Sequence, residues 1–99
     1  MTPEDCIFKL GQLEPDEIAR LMKDSGVKAQ REVSTACAVT QYVYKESRAE
    51  RILTGYTTLS YRTHNGFTNL RLPETVKDFV AKFDDGCYPE LDYYAPENM

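Results

Sequence analysis

Two groups of side chains in this 99-residue chain are of types that could recognise a partner. The first lies in LSYRTHNGFTNLRL, residues 59–72, where Arg62, His64, Phe67 and Arg71 share one face if the segment is a hairpin. Guanidinium groups pair with phosphates, and aromatic rings stack on bases. With Tyr56, which has the parity of Arg62, they form a candidate nucleic-acid-binding surface. The second group is at the C-terminal end, where Asp84, Asp85, Tyr88, Glu90, Asp92, Tyr93 and Tyr94 mix acids with tyrosines and include no base. Carboxylates spaced in this way present charge as a phosphate backbone does, and tyrosines add anchors, so this is a candidate partner-binding surface for a basic groove.

The residues give little basis for catalysis. His64 is the single histidine, so no Ser/His/Asp or Cys/His constellation can form within one chain except through it. The paired carboxylates Asp84-Asp85 and Glu14/Asp16/Glu17 fall at expected helix ends, where solvated acids are normal. GxGxxG, GxxxxGK[ST] and HExxH are missing. Cys6, Cys37 and Cys87 are too far apart for a CxxC metal site and odd in number for a disulfide framework. We therefore expect no enzyme activity, no metal and no cofactor.

The net charge of -4 conceals a segregation. Residues 1–27 carry -3, residues 28–71 carry +4, residues 72–83 balance, and residues 84–99 carry -5. A mildly basic middle is flanked by acidic ends. With 41% hydrophobic and 28% charged residues the chain is expected to fold, as a single domain over 1–99 with 87–99 as an extended or partly frayed tail. No run has the length of a membrane span and the start MTPEDCIFKL lacks a signal-peptide pattern, so a cytoplasmic location is expected.

The elements that must position these groups follow from local signals. Thr2-Pro3-Glu4-Asp5 and Glu14-Pro15-Asp16-Glu17 each start a helix, which predicts helices over about 2–10 and 15–25, stopped by Gly11 and Gly26. Val33, Thr35, Val39, Thr40, Tyr42, Val43 and Tyr44 predict a strand over about 31–44. Both of its parities are apolar, which suggests a homodimer to cover it. Further strands are expected over about 52–63 and 67–72. Asn65-Gly66 predicts a type I′ turn that pairs His64 with Phe67, Arg62 with Asn69, Ser60 with Arg71 and Leu59 with Leu72. Leu59, Tyr61, Leu70 and Leu72 then form the buried face. Pro73-Glu74 opens a helix over about 74–85, with Val76, Phe79, Val80 and Phe83 at helical spacing.

The expected fold is thus α+β, a three-stranded antiparallel sheet packed against helices. Two known patterns fail on the residues. Gly26 lies seven residues after Ala19, too far for a helix-turn-helix, and that region is acidic. The helix, three-strand, helix order over 13–85 is that of double-stranded RNA-binding domains. Pro73-Glu74-Thr75-Val76-Lys77, however, lacks their lysine cluster. The functional expectation is a small acidic, non-catalytic protein that binds and inhibits or modulates a protein with a basic nucleic-acid groove, of the phage, plasmid or immunity type. The alternative is a nucleic-acid-binding module using the Arg/aromatic outer face of the hairpin.

Overall fold

The computed structural model describes residues 1–92, and the expectations for Tyr93, Tyr94 and the rest of the tail lie outside the described residues. Thr2 starts the first helix, α1 (Pro3–Gly11), through a reciprocal capping box: its hydroxyl accepts from the Asp5 N–H at 3.1 Å, and its own N–H donates to the Asp5 carboxylate at 3.2 Å. Pro15 at the first position starts α2 (Pro15–Asp24), where the Glu17 carboxylate accepts from the Glu14 N–H at 3.0 Å. Cys6, Ile7 and Leu10 of α1 and Ile18, Ala19 and Met22 of α2 are buried at the spacing of one helical face.

The predicted strand over 31–44 is wrong. Residues 31–37 form turns, and Ala38–Ser47 is a helix, α3. Its buried apolar residues Ala38, Val39, Tyr42 and Val43 stand at i, i+1, i+4 and i+5, a helical stripe that happens to populate both strand parities. Tertiary burial outweighs the weak strand preference of Val, Thr and Tyr here. The apolar residues behind the homodimer expectation are thus covered within the chain: Val39, Tyr42 and Val43 have no exposed surface. The helix ends at Arg48, which adopts φ 59 and returns its N–H to the Tyr44 carbonyl at 2.8 Å.

The sheet follows in three antiparallel strands, β1 (Leu53–Thr54), β2 (Thr58–Thr63) and β3 (Gly66–Arg71), in that spatial order. What was expected as one strand over 52–63 is two strands, separated by the connection 55–57. The helix-sheet order shared with double-stranded RNA-binding domains therefore disappears as well, since three helices precede the sheet. The last helix, α4 (Glu74–Asp84), buries Val76, Phe79, Val80 and Phe83. A 3-10 turn, Pro89–Leu91, then brings Asp92 beside Ala29, so residues 87–92 are folded rather than extended.

Together the helices and the inner face of the sheet enclose one hydrophobic cluster that includes Leu10, Met22, Tyr42, Leu59, Phe79 and Leu91. The α+β architecture of helices on a three-stranded antiparallel sheet is as expected. One close approach fixes where the sheet meets the helices. A Cβ on Gly11 would lie 2.7 Å from the Pro73 ring, so α1 ends directly against the start of α4 and nothing larger than glycine fits.

The helical assignment of 38–47 separates two tyrosines that a strand would place on one face. Tyr42 is fully buried, whereas Tyr44, about 200° away around the helix, is 48% exposed beneath the Arg48 guanidinium. Tyr42→Ala is expected to lower the unfolding free energy by about 3–5 kcal/mol in a urea titration. Tyr44→Ala is expected to change it by less than about 1 kcal/mol. Equal effects would contradict this helix orientation.

Candidate binding face

The hairpin that carries the arginines is built around Thr63. Its hydroxyl accepts from the Asn65 N–H at 3.2 Å and donates to the Gly66 carbonyl at 3.0 Å. His64 and Asn65 are the two turn residues, both at negative φ, and Gly66 takes φ 110 after them. The turn is therefore not the type I′ turn expected at Asn65-Gly66. An ordinary turn followed by a glycine in the left-handed region closes the hairpin instead.

The register moves accordingly. Thr63 pairs with Gly66, Arg62 with Phe67, Tyr61 with Thr68, Ser60 with Asn69, Leu59 with Leu70 and Thr58 with Arg71. Relative to the expectation each β2 residue meets a partner two positions earlier in β3. A slip of two preserves the faces, so Leu59, Tyr61 and Leu70 still point to the helices. It does change which outer residues are neighbours. Arg62 stands directly across from Phe67, and Arg71 lies two pleats away beside Thr58, about 13 Å along the strand.

Leu53 pairs with Ser60 and joins the outer face, which is made up of Leu53, Thr58, Ser60, Arg62, Phe67, Asn69 and Arg71. None of these is acidic. Phe67 is 55% and Leu53 40% exposed. Arg62 and Arg71 are exposed, and neither is in an ion pair among the described residues. Exposed Arg51, just before β1 at φ 54, lines a cleft with Thr40, Gln41 and Tyr44 of α3 and is not part of this face. In the middle of the face the Ser60 hydroxyl donates to the Asn69 side-chain carbonyl across the strands. His64 sits at the exposed tip.

Tyr56 does not belong to this face. It lies in the connection between β1 and β2, near the Asp84 carboxylate, whose proximity raises its pKa. The two residues line a cleft of about 120 Å³ together with Glu32, Ser34 and Cys37. The Asp84 carboxylate also accepts from the Glu32 N–H at 2.9 Å, holding Glu32 at φ 63. Burial pushes the Cys37 thiol up to about 11, so it is protonated near neutrality and a poor nucleophile.

The acidic C-terminal group is partly absorbed into the fold. The Asp92 carboxylate is buried and meets the Arg31 guanidinium at 2.7 Å. Tyr88 is buried, stacks on Phe79 at 5.3 Å between ring centroids, and donates its hydroxyl to Asp16 at 2.8 Å. Asp84 is engaged as described above, whereas Asp85 and Glu90 remain exposed and are in no ion pair among the described residues. Leu53 and Thr58 were not anticipated as parts of the outer face. The parity of Ser60 extends to Thr58, but the break at 55–57 hides the alignment of β1.

Among the described residues no group of His, Cys, Asp and Glu is arranged to hold a metal ion, and no helix is long and apolar enough to cross a membrane. No protein-family model, curated protein or solved structure matches the chain.

One further bond ties the sheet to α1. The Tyr61 hydroxyl donates to the Glu4 carboxylate at 2.7 Å, and this bond, with some burial, pushes its pKa up to about 12 from an ordinary 10.0. The folded chain holds this proton to higher pH than the unfolded chain. The resulting stability is intact below the ordinary value and is lost as pH rises through about 12. Tyr88, raised chiefly by burial and then by Asp16, acts in the same direction. Alkaline unfolding followed by circular dichroism should be less steep above pH 10.0 in Tyr61→Phe than in the parent chain.

Proposed function

We propose that this chain is a non-catalytic binding protein whose outer sheet face engages single-stranded nucleic acid. One observation carries the reading: in a chain of net charge -4, an uncovered face of three strands carries Arg62, Phe67 and Arg71 and no carboxylate. Unpaired guanidinium groups draw a phosphate backbone, and an aromatic ring beside one of them supplies a stacking platform for a base. The separation of Arg62 from Arg71 suits two non-adjacent phosphates of an extended strand better than two oxygens of one group. Shallow strand faces leave bases accessible from one side, which is what stacking needs.

The test is fluorescence anisotropy with labelled single-stranded DNA and RNA across a salt series. Affinity should fall with salt, and an Arg62→Ala/Arg71→Ala variant should bind more weakly with a log-log salt slope flatter by about 1.4, at about 0.7 per phosphate contact. Phe67→Ala should weaken binding by about 1–3 kcal/mol with the slope unchanged. Absence of binding at low salt would overturn the reading.

A second reading rests on Asp85 and Glu90, exposed acids whose carboxylates are in no ion pair among the described residues. They support binding, and inhibition or modulation, of a protein with a basic nucleic-acid groove. Asp84 and Asp92 have work within the fold, so Asp85→Asn/Glu90→Gln is the clean variant. It should weaken capture of a basic, nucleic-acid-processing partner and reduce its salt sensitivity. Unchanged capture would remove this reading.

A further inference from the structure

The two edges of the sheet are treated differently. On the β1 side the Thr54 N–H donates to the Ser34 carbonyl at 3.1 Å, so the edge is closed by the chain itself. On the β3 side no such closure is found among the described residues. The Leu72 N–H donates to the Thr57 carbonyl at 2.9 Å, and the alternation of an antiparallel ladder then directs Thr68 and Leu70 towards β2 and Phe67, Asn69 and Arg71 away from it. Three N–H and three C=O groups thus line an open edge. The strand that carries them holds no proline, no lysine and no inward charge, and its one charge, Arg71, stands at its last position.

We propose that this edge is a self-association site, at which β3 pairs antiparallel with β3 of a second copy across a two-fold axis at Asn69. The sequence of the strand carries the inference, because it is complementary to itself in that arrangement. Asn69 meets Asn69 of the partner subunit, and Phe67 of each copy meets Arg71 of the other. All three outward-facing residues then exchange both backbone bonds, giving six hydrogen bonds and no unpaired group. Each guanidinium faces a ring rather than another charge, which is a favourable cross-strand pair.

Neighbouring registers do worse. A slip one way carries Arg71 off the strand against the turn of the other copy. A slip the other way sets Phe67 opposite Pro73, which has no N–H to give, and a further slip brings arginine against arginine. A closed two-fold pair also leaves no free β3 edge for a third copy, so association stops at two. The result is a continuous six-stranded sheet in which Phe67 lies between Arg62 of its own chain and Arg71 of the partner subunit. Phe67 and Arg71 also belong to the proposed nucleic-acid face, but the association is measured with the protein alone, so the two readings fail separately.

Sedimentation equilibrium of the full chain at micromolar concentration is the experiment. The expected mass is twice the 11.4 kDa of one chain. Asn69→Lys places two ammonium groups on the axis and should return the chain to a single-copy mass, with its circular dichroism unchanged. Phe67→Arg, at an exposed position, should dissociate the pair by setting arginine against arginine, while Phe67→Glu should preserve it through an ion pair that weakens with salt. A parent chain that sediments at 11.4 kDa overturns the proposal. A dimer that survives both Asn69→Lys and Phe67→Arg overturns it too, since its interface then lies elsewhere.

Discussion

The Ser34 carbonyl is the point on which the arrangement of the sheet depends. It accepts the Thr40 hydroxyl at 2.7 Å and the Thr54 N–H at 3.1 Å, and the two threonine hydroxyls are themselves 2.7 Å apart in a buried site. One oxygen thus holds the loop before α3, the first turn of α3 and the short strand β1. Buried polar groups must find partners, and here three elements supply them to one another. Without this junction a two-residue strand would have little to hold it against β2. With it, β1 is held, one sheet edge is closed, and the inner face is committed to the helices.

The outer face is exposed for the same reason. Among the described residues the four helices precede or follow the sheet in a way that lets them share one hydrophobic cluster, and none covers the opposite side. Most acids of the described residues lie on the helices and their ends, while the strand residues of the outer face include arginines and no carboxylate. The charge segregation along the sequence thereby becomes a difference between two sides of a molecule. Charge of one sign on an open surface raises the local concentration of the opposite sign and speeds encounter.

Much of this was legible in the sequence, and the misses have definite causes. Caps and helical stripes identified α1, α2 and α4 because those signals are local. The hairpin faces were legible because parity survives a register slip of two. The register itself was not, since Asn-Gly serves both a type I′ turn and a turn followed by a left-handed glycine, and the Thr63 hydroxyl decides between them. Helix α3 is hidden in the sequence because Val39, Thr40 and Val43 favour strands locally, while the spacing that buries Ala38, Val39, Tyr42 and Val43 together is helical. At the acidic end, Arg31 and Asp16 are 61 and 72 positions from the residues they hold, Asp92 and Tyr88, and no local pattern announces such pairs.

The two attachments of the hairpin to α1 have a consequence for whatever docks on its other side. Tyr61 is bonded to Glu4, and the residue that follows Leu72 is pressed against Gly11, so the hairpin is held both along its length and at its base. Its outer surface is accordingly set before an encounter. Little backbone order has to be acquired on contact, and the entropy that a floppy ribbon would forfeit is already spent in folding. Association with such a surface is governed by diffusion and orientation rather than by waiting for a rare shape.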